Sequence, residues 1–174
     1  MAREMNVVPF DENWNVQFEE EKEILENILR NIIIDIQHFG STSIKGMSAK
    51  PTIDIMIIVE NIDEVDKYNN EMIKHNYSVR GENNIPQRRY FVKFKEDGEN
   101  HASHIHIYEV GNQHINDELL FRDFLNINRE AFLQYESMKI EVSNKYRFSP
   151  VEYEEAKHNC VMDIMQKARK YFNK

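Results

Sequence analysis

The chain has 174 residues, a net charge of −8 at pH 7 and a pI near 5.4. That length suits one domain and is short for two, and the negative charge argues against a dedicated nucleic-acid or anionic-membrane binder, because such proteins need clustered Lys and Arg. A single cysteine excludes an internal disulfide framework, and no apolar run approaches the ~20 residues of a membrane span, so we expect no membrane partner and a cytoplasmic location.

The first predicted element is a helix that begins near Asn13, with Asp11 as its cap. Its apolar positions lie together on one broad face, at Trp14, Phe18, Leu25, Ile28 and Leu29. The opposite face carries the acidic residues 19–21 and Glu23, which we interpret as a solvated helix surface.

Two strands are predicted next, at about residues 32–39 and 52–60, and a helix follows at about residues 63–75. The second strand is apolar on both faces, so we expect it to lie inside a sheet. Asp54 is the one acidic residue within this apolar run. A carboxylate in such a strand must be paired, hydrogen-bonded or holding a cation.

Three further strand-like segments follow, at residues 77–80, 89–95 and 104–110. In the middle segment, alternation places Tyr90, Val92 and Phe94 on the face that should meet the core. We interpret the basic residues of this part of the chain as solvated surface, namely Arg88, Arg89, Lys93 and Lys95.

From residue 116 onward the apolar period is helical, and three helices are predicted, around residues 119–125 and 131–142 and after Pro150. We expect their apolar stripes to pad one face of the sheet. This succession of elements predicts an α/β (α+β) fold with a mixed β-sheet flanked by helices and a helical C-terminal segment. Because the sequence contains no linker, we predict a single domain over residues 1–174, with a core at about 10–111 and helices at about 116–172 packed on it.

The loop between the first two strands combines features suited to a phosphate or similar anion. Gly40 lets the backbone turn, and Ser41, Thr42 and Ser43 offer hydroxyls beside backbone N–H groups. Lys50 follows shortly after. The loop is not a P-loop, because the spacing of its two glycines is wrong and no Gly-Lys-Ser/Thr triplet follows. We predict that these five residues bind the ligand.

A Gly-Ser pair after one strand, separated by twelve residues from an Asp on the next strand, resembles the signature of the polymerase-β-like nucleotidyltransferase superfamily. Within that superfamily, residues 40–55, GSTSIKGMSAKPTIDI, are similar to the central motif of the GrpB family. Other stretches resemble motifs of the same family, at FDENWNVQFEEEKEIL, RRYFVKF, HIHIYE, FRDFL and YESMK. The resemblance implies a nucleotidyltransferase-like fold, a nucleotide or other phosphorylated small molecule as ligand, and Asp54 at the catalytic position.

One position departs from the catalytically active members of the superfamily. Those members carry a second carboxylate two residues after the first, so that two acids can hold two Mg²⁺ ions, whereas this chain has Met56 there. A thioether does not ligate a hard cation, so half of that metal clamp is missing. The GrpB pattern also has an apolar residue at this position.

His104 and His106 lie two residues apart on a predicted strand, so their side chains share one face. If that strand lies beside the one that carries Asp54, as the resemblance implies, the three side chains can converge on a divalent cation. An Asp/His/His set suits Zn²⁺, Mn²⁺ or Fe²⁺ better than Mg²⁺. The alternative is that the imidazoles hydrogen-bond a phosphate or a neighbouring carboxylate.

Two more polar residues are candidates. His38 immediately precedes the loop, where a lone histidine serves either as a hydrogen-bonded structural residue or as a base. Arg122 occupies a polar position of the helical motifs that resemble the family. It either binds a second phosphate group or forms a surface pair with Asp123.

Three functions stay open at this stage. The first is a module that binds a nucleotide or other phosphorylated small molecule without efficient transfer, which Met56 favours. The second is a metal-dependent nucleotidyl- or phosphotransferase that uses Asp54, His104 and His106 as an altered metal site. The third, a purely structural or protein-interaction role, leaves the acid and the two histidines unexplained.

Overall fold

The computed structural model describes residues 4–173. Between these residues the chain forms five helices and five strands. In chain order they are α1 (Asn13–Leu29), β1 (Ile33–Phe39), β2 (Ile53–Val59), α2 (Asn69–Lys74), β3 (Tyr77–Val79), β4 (Arg88–Phe94), β5 (His101–Glu109), α3 (Gln113–Ile127), α4 (Arg129–Lys145) and α5 (Pro150–Tyr171). The helix predicted at residues 63–75 is in fact a 3₁₀ segment, Ile62–Tyr68, followed by the short α2.

The five strands form one mixed sheet in the order β1-β2-β5-β4-β3. β2 and β5 run parallel, and every other neighbouring pair is antiparallel. The position of β2 inside the sheet agrees with its two apolar faces. The predicted α/β class, with a mixed sheet flanked by helices, is confirmed.

One face of the sheet packs against α1. The isoleucines at odd-numbered positions of β2 and β5 meet the apolar stripe of α1, and both sets are almost completely buried. β4 contributes Phe91 to this core, so the prediction that Tyr90, Val92 and Phe94 face it is wrong. On the opposite face of β4, Val92 is buried and Tyr90 and Phe94 are half-buried, so alternation alone does not tell which face meets α1.

The acidic face of α1 contains one residue that is not solvated surface. Glu21 accepts a 2.6 Å hydrogen bond from Lys93 Nζ and a 3.3 Å bond from Ser103 Oγ, and it also accepts from the Tyr77 hydroxyl. Its side chain is only 14% exposed. The solvated-surface prediction is therefore wrong for Glu21, which ties α1 to three strands, while Glu19, Glu20 and Glu23 are exposed as expected.

The C-terminal helices cover the opposite side of the molecule. α3 lies against β1, and its Ile115 packs with Phe39, Met56 and Tyr108 at one end of the second sheet face. α4 and α5 pack against α3, against each other and around the loop between β1 and β2. Because these two helices contact the loop more than the strands, part of the sheet face stays uncovered.

Ile44 and Met47 of the loop between β1 and β2 insert between the C-terminal helices. Both are almost completely buried, and they pack with Phe124, Phe132 and Ile164. The loop is thereby fixed between the sheet and the three helices. Within residues 4–173, no helix combines the length and apolarity that a membrane span requires.

Replacing Met47 by Ala should lower the free energy of unfolding by about 2–5 kcal/mol, because it removes a fully buried side chain and leaves a cavity. Chemical denaturation measures this change. Met162→Ala is the control, since Met162 is 52% exposed. If residues 1–174 form one domain, as we propose, Met47→Ala still unfolds in a single transition that is shifted to lower denaturant. Two separate transitions would contradict the single domain.

Candidate functional site

A cleft of about 500 Å³ lies between the uncovered sheet face and the C-terminal helices. The strands contribute Asp54, Arg88, Tyr90, His104 and His106 to its wall. The loop contributes Gly40 and Ser41, followed in sequence by Lys50. The helices contribute polar and aromatic side chains, namely Glu118, Tyr135, Lys139, Tyr153, Glu154 and Lys157.

The parallel pairing of β2 and β5 brings the predicted acid and histidines together. In this register Asp54 lies opposite His104, and Met56 lies opposite His106. His104 Nδ1 is 3.0 Å from Asp54 Oδ1. One ligand atom from each of Asp54, His104 and His106 lies within 4.8 Å of the others. The three side chains that the sequence analysis grouped therefore share one corner of the cleft.

His104 is held at both ring nitrogens. Its Nδ1–H donates to the Asp54 carboxylate, and its Nε2 is 2.7 Å from His101 Nδ1. Burial alone would raise the pKa of Asp54, but the hydrogen bond from His104 and the electrostatic influence of His104, His106 and Lys50 leave the pKa below its usual value. Asp54 is thus an anion at neutral pH. The sequence analysis did not single out His101, which lies three residues before His104 on the same strand.

His106 is enclosed between aromatic rings and a guanidinium. Its ring stands edge-on to Phe39 and Tyr90. Burial lowers its pKa to about 3, with Arg88 and His104 adding to the effect and Asp54 opposing it. His106 is therefore neutral at physiological pH, and its Nδ1 accepts from Arg88 Nη1 at 3.3 Å because a guanidinium can only donate.

Arg88 corrects the interpretation of the basic segment as solvated surface. Arg88 is only 4% exposed. Its guanidinium donates to the backbone carbonyls of Glu82 and Asn83 and lies 4.6 Å from the centre of the Tyr90 ring. Lys93 is also half-buried, through its bond to Glu21. The solvated interpretation fails at these residues because each has partners that are distant in sequence.

Gly40 is fixed by its close approach to Asp54. Its backbone has φ +69° and ψ −176°, a conformation that is essentially restricted to glycine. A Cβ atom at this position would lie 2.9 Å from Asp54 Cβ and 3.0 Å from Asp54 Cγ, and nearer still to Oδ2. The glycine that opens the loop and the acid on β2 are therefore one packed unit.

The three loop hydroxyls have different environments. Ser41 lines the cleft and hydrogen-bonds with the Tyr135 side chain. Thr42 Oγ1 lies 3.0 Å from His38 Nε2, and Ser43 Oγ donates to the Gly40 carbonyl at 2.6 Å. Of the three hydroxyls, the Ser41 group is placed best to meet a ligand.

His38 has a structural environment on the other face of the sheet. Its ring stacks on Phe18 at 4.7 Å between centroids, and burial lowers its pKa to about 4. These contacts agree with the structural alternative for His38, while the charge of Asp54 still raises its pKa against the effect of burial.

Lys50 and Arg122, both predicted to bind the ligand, are placed differently. Lys50 lines the cleft, with Nζ 3.5 Å from Glu154 Oε1 and 4.9 Å from the Tyr153 ring centre. Arg122 lines a neighbouring cavity instead. Its guanidinium donates to Asp123, to Gln37 Oε1 and to the His38 carbonyl, so it fastens α3 to β1. A role for Arg122 in phosphate binding stays a prediction.

Lys139 is the last residue of the YESMK motif, to which the sequence assigned no individual role. The residue is 2% exposed, its Nζ donates to the Ser48 carbonyl at 2.6 Å, and the ammonium lies 4.8 Å from the Tyr135 ring centre. Burial, reinforced by the nearby charge of Lys157, lowers its pKa to about 7. Within residues 4–173 it makes no ion pair. The burial of Lys139 could have been predicted from its position on the buried face of α4, four residues after Tyr135.

Two further titratable groups from the helices line the cleft. Burial would lower the pKa of Lys157, but Tyr135, Glu154 and Tyr153 raise it above the usual range, and Lys157 Nζ pairs with Glu154 Oε2 at 2.9 Å. Burial and the charges of Asp54 and Asp117 raise the pKa of Glu118 to about 7. The sequence analysis identified neither Glu118 nor Lys157.

Residues 4–167 match the model of a protein family that is described as GrpB protein. The chain is 37% identical to the glutamate-rich protein GrpB of Alkalihalophilus pseudofirmus, over 93% of this chain and 94% of the relative. It is 35% identical to the UPF0157 protein YqkA of Bacillus subtilis, over 97% of this chain. This chain spans only 48% of that second relative's length.

Solved structures also resemble this fold. The crystal structure of conserved protein GrpB from Enterococcus faecalis aligns with a TM-score of 0.90 and 32% identity, over 97% of this chain and 100% of that one. A structure of Cid1 aligns with a TM-score of 0.50 and 11% identity, over 74% of this chain and 40% of that one. Cid1 is described as having RNA terminal uridylyl transferase activity. The second similarity shows the fold alone.

Gly40→Ala should be more destabilising than an ordinary glycine replacement. The new methyl group strains the backbone by roughly 1–3 kcal/mol and also displaces the Asp54 carboxylate. Gly98→Ala is a matched control, because Gly98 has the same φ of +69° but no atom within 4 Å of its added Cβ. Urea denaturation of both variants measures the difference. Equal losses of stability would show that contact with Asp54 does not matter at Gly40.

Proposed function

The chain belongs to the GrpB protein family, and we propose that the cleft in its nucleotidyltransferase-like fold binds a nucleotide or another phosphorylated small molecule. The fold by itself does not determine an activity, since one fold serves many functions. The proposal therefore depends on the residues that line the cleft. A cytoplasmic location, expected from the sequence, belongs to the same proposal.

The observation that carries this proposal is a concentration of cationic side chains in one cleft of an acidic protein. Lys50, Lys139, Lys157 and Arg88 all line it, although the whole chain has a net charge of −8. Keeping an ammonium group such as that of Lys139 buried without an acidic partner is costly, so its position needs a reason. A bound anion supplies that reason, and phosphate is the common biological anion that Lys recognises.

The cleft contains two kinds of groups, which suits a ligand with two different parts. Lys139, with Ser41 and Tyr135 beside it, can hold a phosphate group. Asp54 and the histidines around it offer acceptors for ligand hydroxyl groups or ligands for a cation. Met56 stands where active nucleotidyltransferases have a second acid, which favours binding without efficient transfer.

Sulfate is a suitable probe for the anion site, because its charge is constant between pH 6 and 8 whereas that of phosphate changes. The pKa of Lys139 is about 7, so its ammonium is mostly charged at pH 6 and mostly neutral at pH 8. Sulfate affinity should therefore fall as the pH rises through this range. In Lys139→Met the affinity at pH 6 should drop roughly tenfold to a hundredfold, as for a lost hydrogen bond to a charged group. Titration calorimetry measures both effects.

Glu118 has a pKa near 7 as well, and its ionisation would also repel sulfate at higher pH. Glu118→Gln separates the two groups, because it removes only the carboxylate contribution to the pH dependence. Lys145→Met, an exposed position on the same helix, is the matched control for the lost charge. If Lys139→Met and Lys145→Met bind sulfate equally well, Lys139 has no part in anion binding. A nucleotide panel tested on the same proteins then defines the preferred ligand.

A second function, a metal-dependent nucleotidyl- or phosphotransferase, is supported by the approach of Asp54, His104 and His106. One carboxylate and two imidazoles fit a borderline cation such as Zn²⁺ or Mn²⁺ better than Mg²⁺. His106 is neutral, as a ligand must be, but its Nδ1 is occupied by Arg88, and both nitrogens of His104 have partners. A bound cation would act as a Lewis acid next to the phosphate group, while these side chains hold it and Lys139 orients the anion.

Calorimetric titration with Mn²⁺ and with Zn²⁺ tests this second function. We expect binding by the parent, and a loss of about tenfold or more in both Asp54→Asn and His104→Ala, which is typical of changes at or next to a ligand. His75→Ala, an exposed histidine on the surface, is the control. Unchanged metal affinity in the two site variants would exclude this cation site. Metal binding without turnover of nucleoside triphosphates would favour the binding module.

A further inference from the structure

A second cavity of about 320 Å³ adjoins the cleft. Its wall is mainly apolar and comes from the loop and from α3, α4 and α5, with Ile44, Phe121, Tyr135, Val161, Met162 and Met165 as its apolar members. Two arginines also line it, but both are already bonded. Arg122 donates to Asp123 and to β1, and Arg169 Nη2 donates to Asp117 Oδ1 at 3.0 Å. Both guanidinium groups are thus directed towards partners within the chain, and the rest of the wall is mainly apolar.

The cleft and the second cavity share a wall. Gly40, Ser41, Glu118 and Tyr135 line both spaces. The Tyr135 ring has the Lys139 ammonium over its face at 4.8 Å, while the Phe121 ring meets it edge-on with centroids 5.2 Å apart. An anion beside Ser41 and Lys139 would thus be separated from the second cavity by no more than these side chains.

We propose that the second cavity holds an aromatic group of the same ligand whose phosphate lies in the cleft. This proposal rests on the proposed function, since the phosphate fixes the ligand's other end. Ring edges and faces from Phe121 and Tyr135 suit a flat aromatic group, and the thioethers of Met162 and Met165 make favourable contacts with aromatic rings and adapt to their shape. A volume of about 320 Å³ lies at the lower end of the range of small-molecule pockets.

The test uses three probes: inorganic phosphate, 1-naphthyl phosphate and uncharged 1-naphthol. Phosphate reports on the cleft alone, and naphthol on the cavity alone. We expect 1-naphthyl phosphate to bind at least about tenfold more tightly than inorganic phosphate, since burying an aromatic group contributes more than the roughly 1.4 kcal/mol of a tenfold change. We also expect 1-naphthol to bind. Calorimetry gives the affinities, and naphthol fluorescence reports transfer to an apolar environment.

Val161→Trp fills the cavity and should abolish the binding of 1-naphthol. It should also make 1-naphthyl phosphate bind no more tightly than inorganic phosphate, while the affinity for inorganic phosphate stays unchanged. Val151→Trp is its matched control on the same helix, at a position that is 67% exposed and lines neither space. Met162→Gln is a milder second variant at the exposed edge of the cavity, in case the tryptophan disturbs folding, which circular dichroism detects. It should weaken naphthol binding severalfold.

The outcomes separate the two proposals. Equal affinities for phosphate and naphthyl phosphate, together with no naphthol binding, would overturn the aromatic site and leave the phosphate site intact. Naphthol binding that persists in Val161→Trp would also overturn it, because the ring would then lie elsewhere. If inorganic phosphate fails to bind but naphthol binds and is lost in Val161→Trp, the cavity is supported as an aromatic site and the proposed phosphate function fails.

Discussion

The site depends on one constraint, which is the position of the half-buried Asp54 carboxylate on an interior strand. Such a charge must be compensated, and the parallel register of β2 and β5 places His104 directly beside it. The glycine that opens the loop contacts the same carboxylate, so the loop conformation and the acid are determined together. His101 lies within hydrogen-bond distance of His104, and Arg88 donates to His106. The Asp54, His104 and His106 side chains are therefore held in place by other residues of the chain.

The same loop connects this corner to the helical layer. Ile44 and Met47 are buried among the C-terminal helices, and Lys139 of α4 donates to the Ser48 carbonyl of the loop. As a result, the sheet supplies the acid, the histidines and Arg88, the helices supply Lys139 and Lys157, and the loop sets the distance between the two walls. A ligand that contacts both walls would stabilise the packing of the helices against the sheet, which couples binding to stability.

Periodicity in the sequence predicted most of the elements and the shared face of His104 and His106, because the twofold repeat of a strand is local information. That Asp54 lies beside these histidines was implied by the resemblance to the GrpB family and not by periodicity. Periodicity failed where the burial of a charged residue is decided by partners far away in sequence. Glu21 is buried by three strands, Arg88 by a loop and His106, and Lys139 by the loop and Tyr135. Each of these charges looks like surface until the distant partner is known. Gly40 was recognised as a turn residue, but its contact with Asp54 depends on the tertiary approach of two strands.

Met56, at the position where active nucleotidyltransferases have a second acid, lies in surroundings that suit an apolar side chain. Met56 is fully buried, and it packs with Phe39, Tyr108 and Ile115 under the start of α3. A carboxylate at this position would face hydrocarbon from the sheet and from the helix, and His106 beside it is already bonded to Arg88. Restoring an acid at position 56 would therefore bury a charge without a compensating partner instead of rebuilding a two-metal clamp. The helix α3 that closes this end of the sheet face also supplies Glu118, Phe121 and Arg122 to the adjoining spaces. The helix α3 thus contributes both to the apolar surroundings of Met56 and to the wall of the neighbouring cavity.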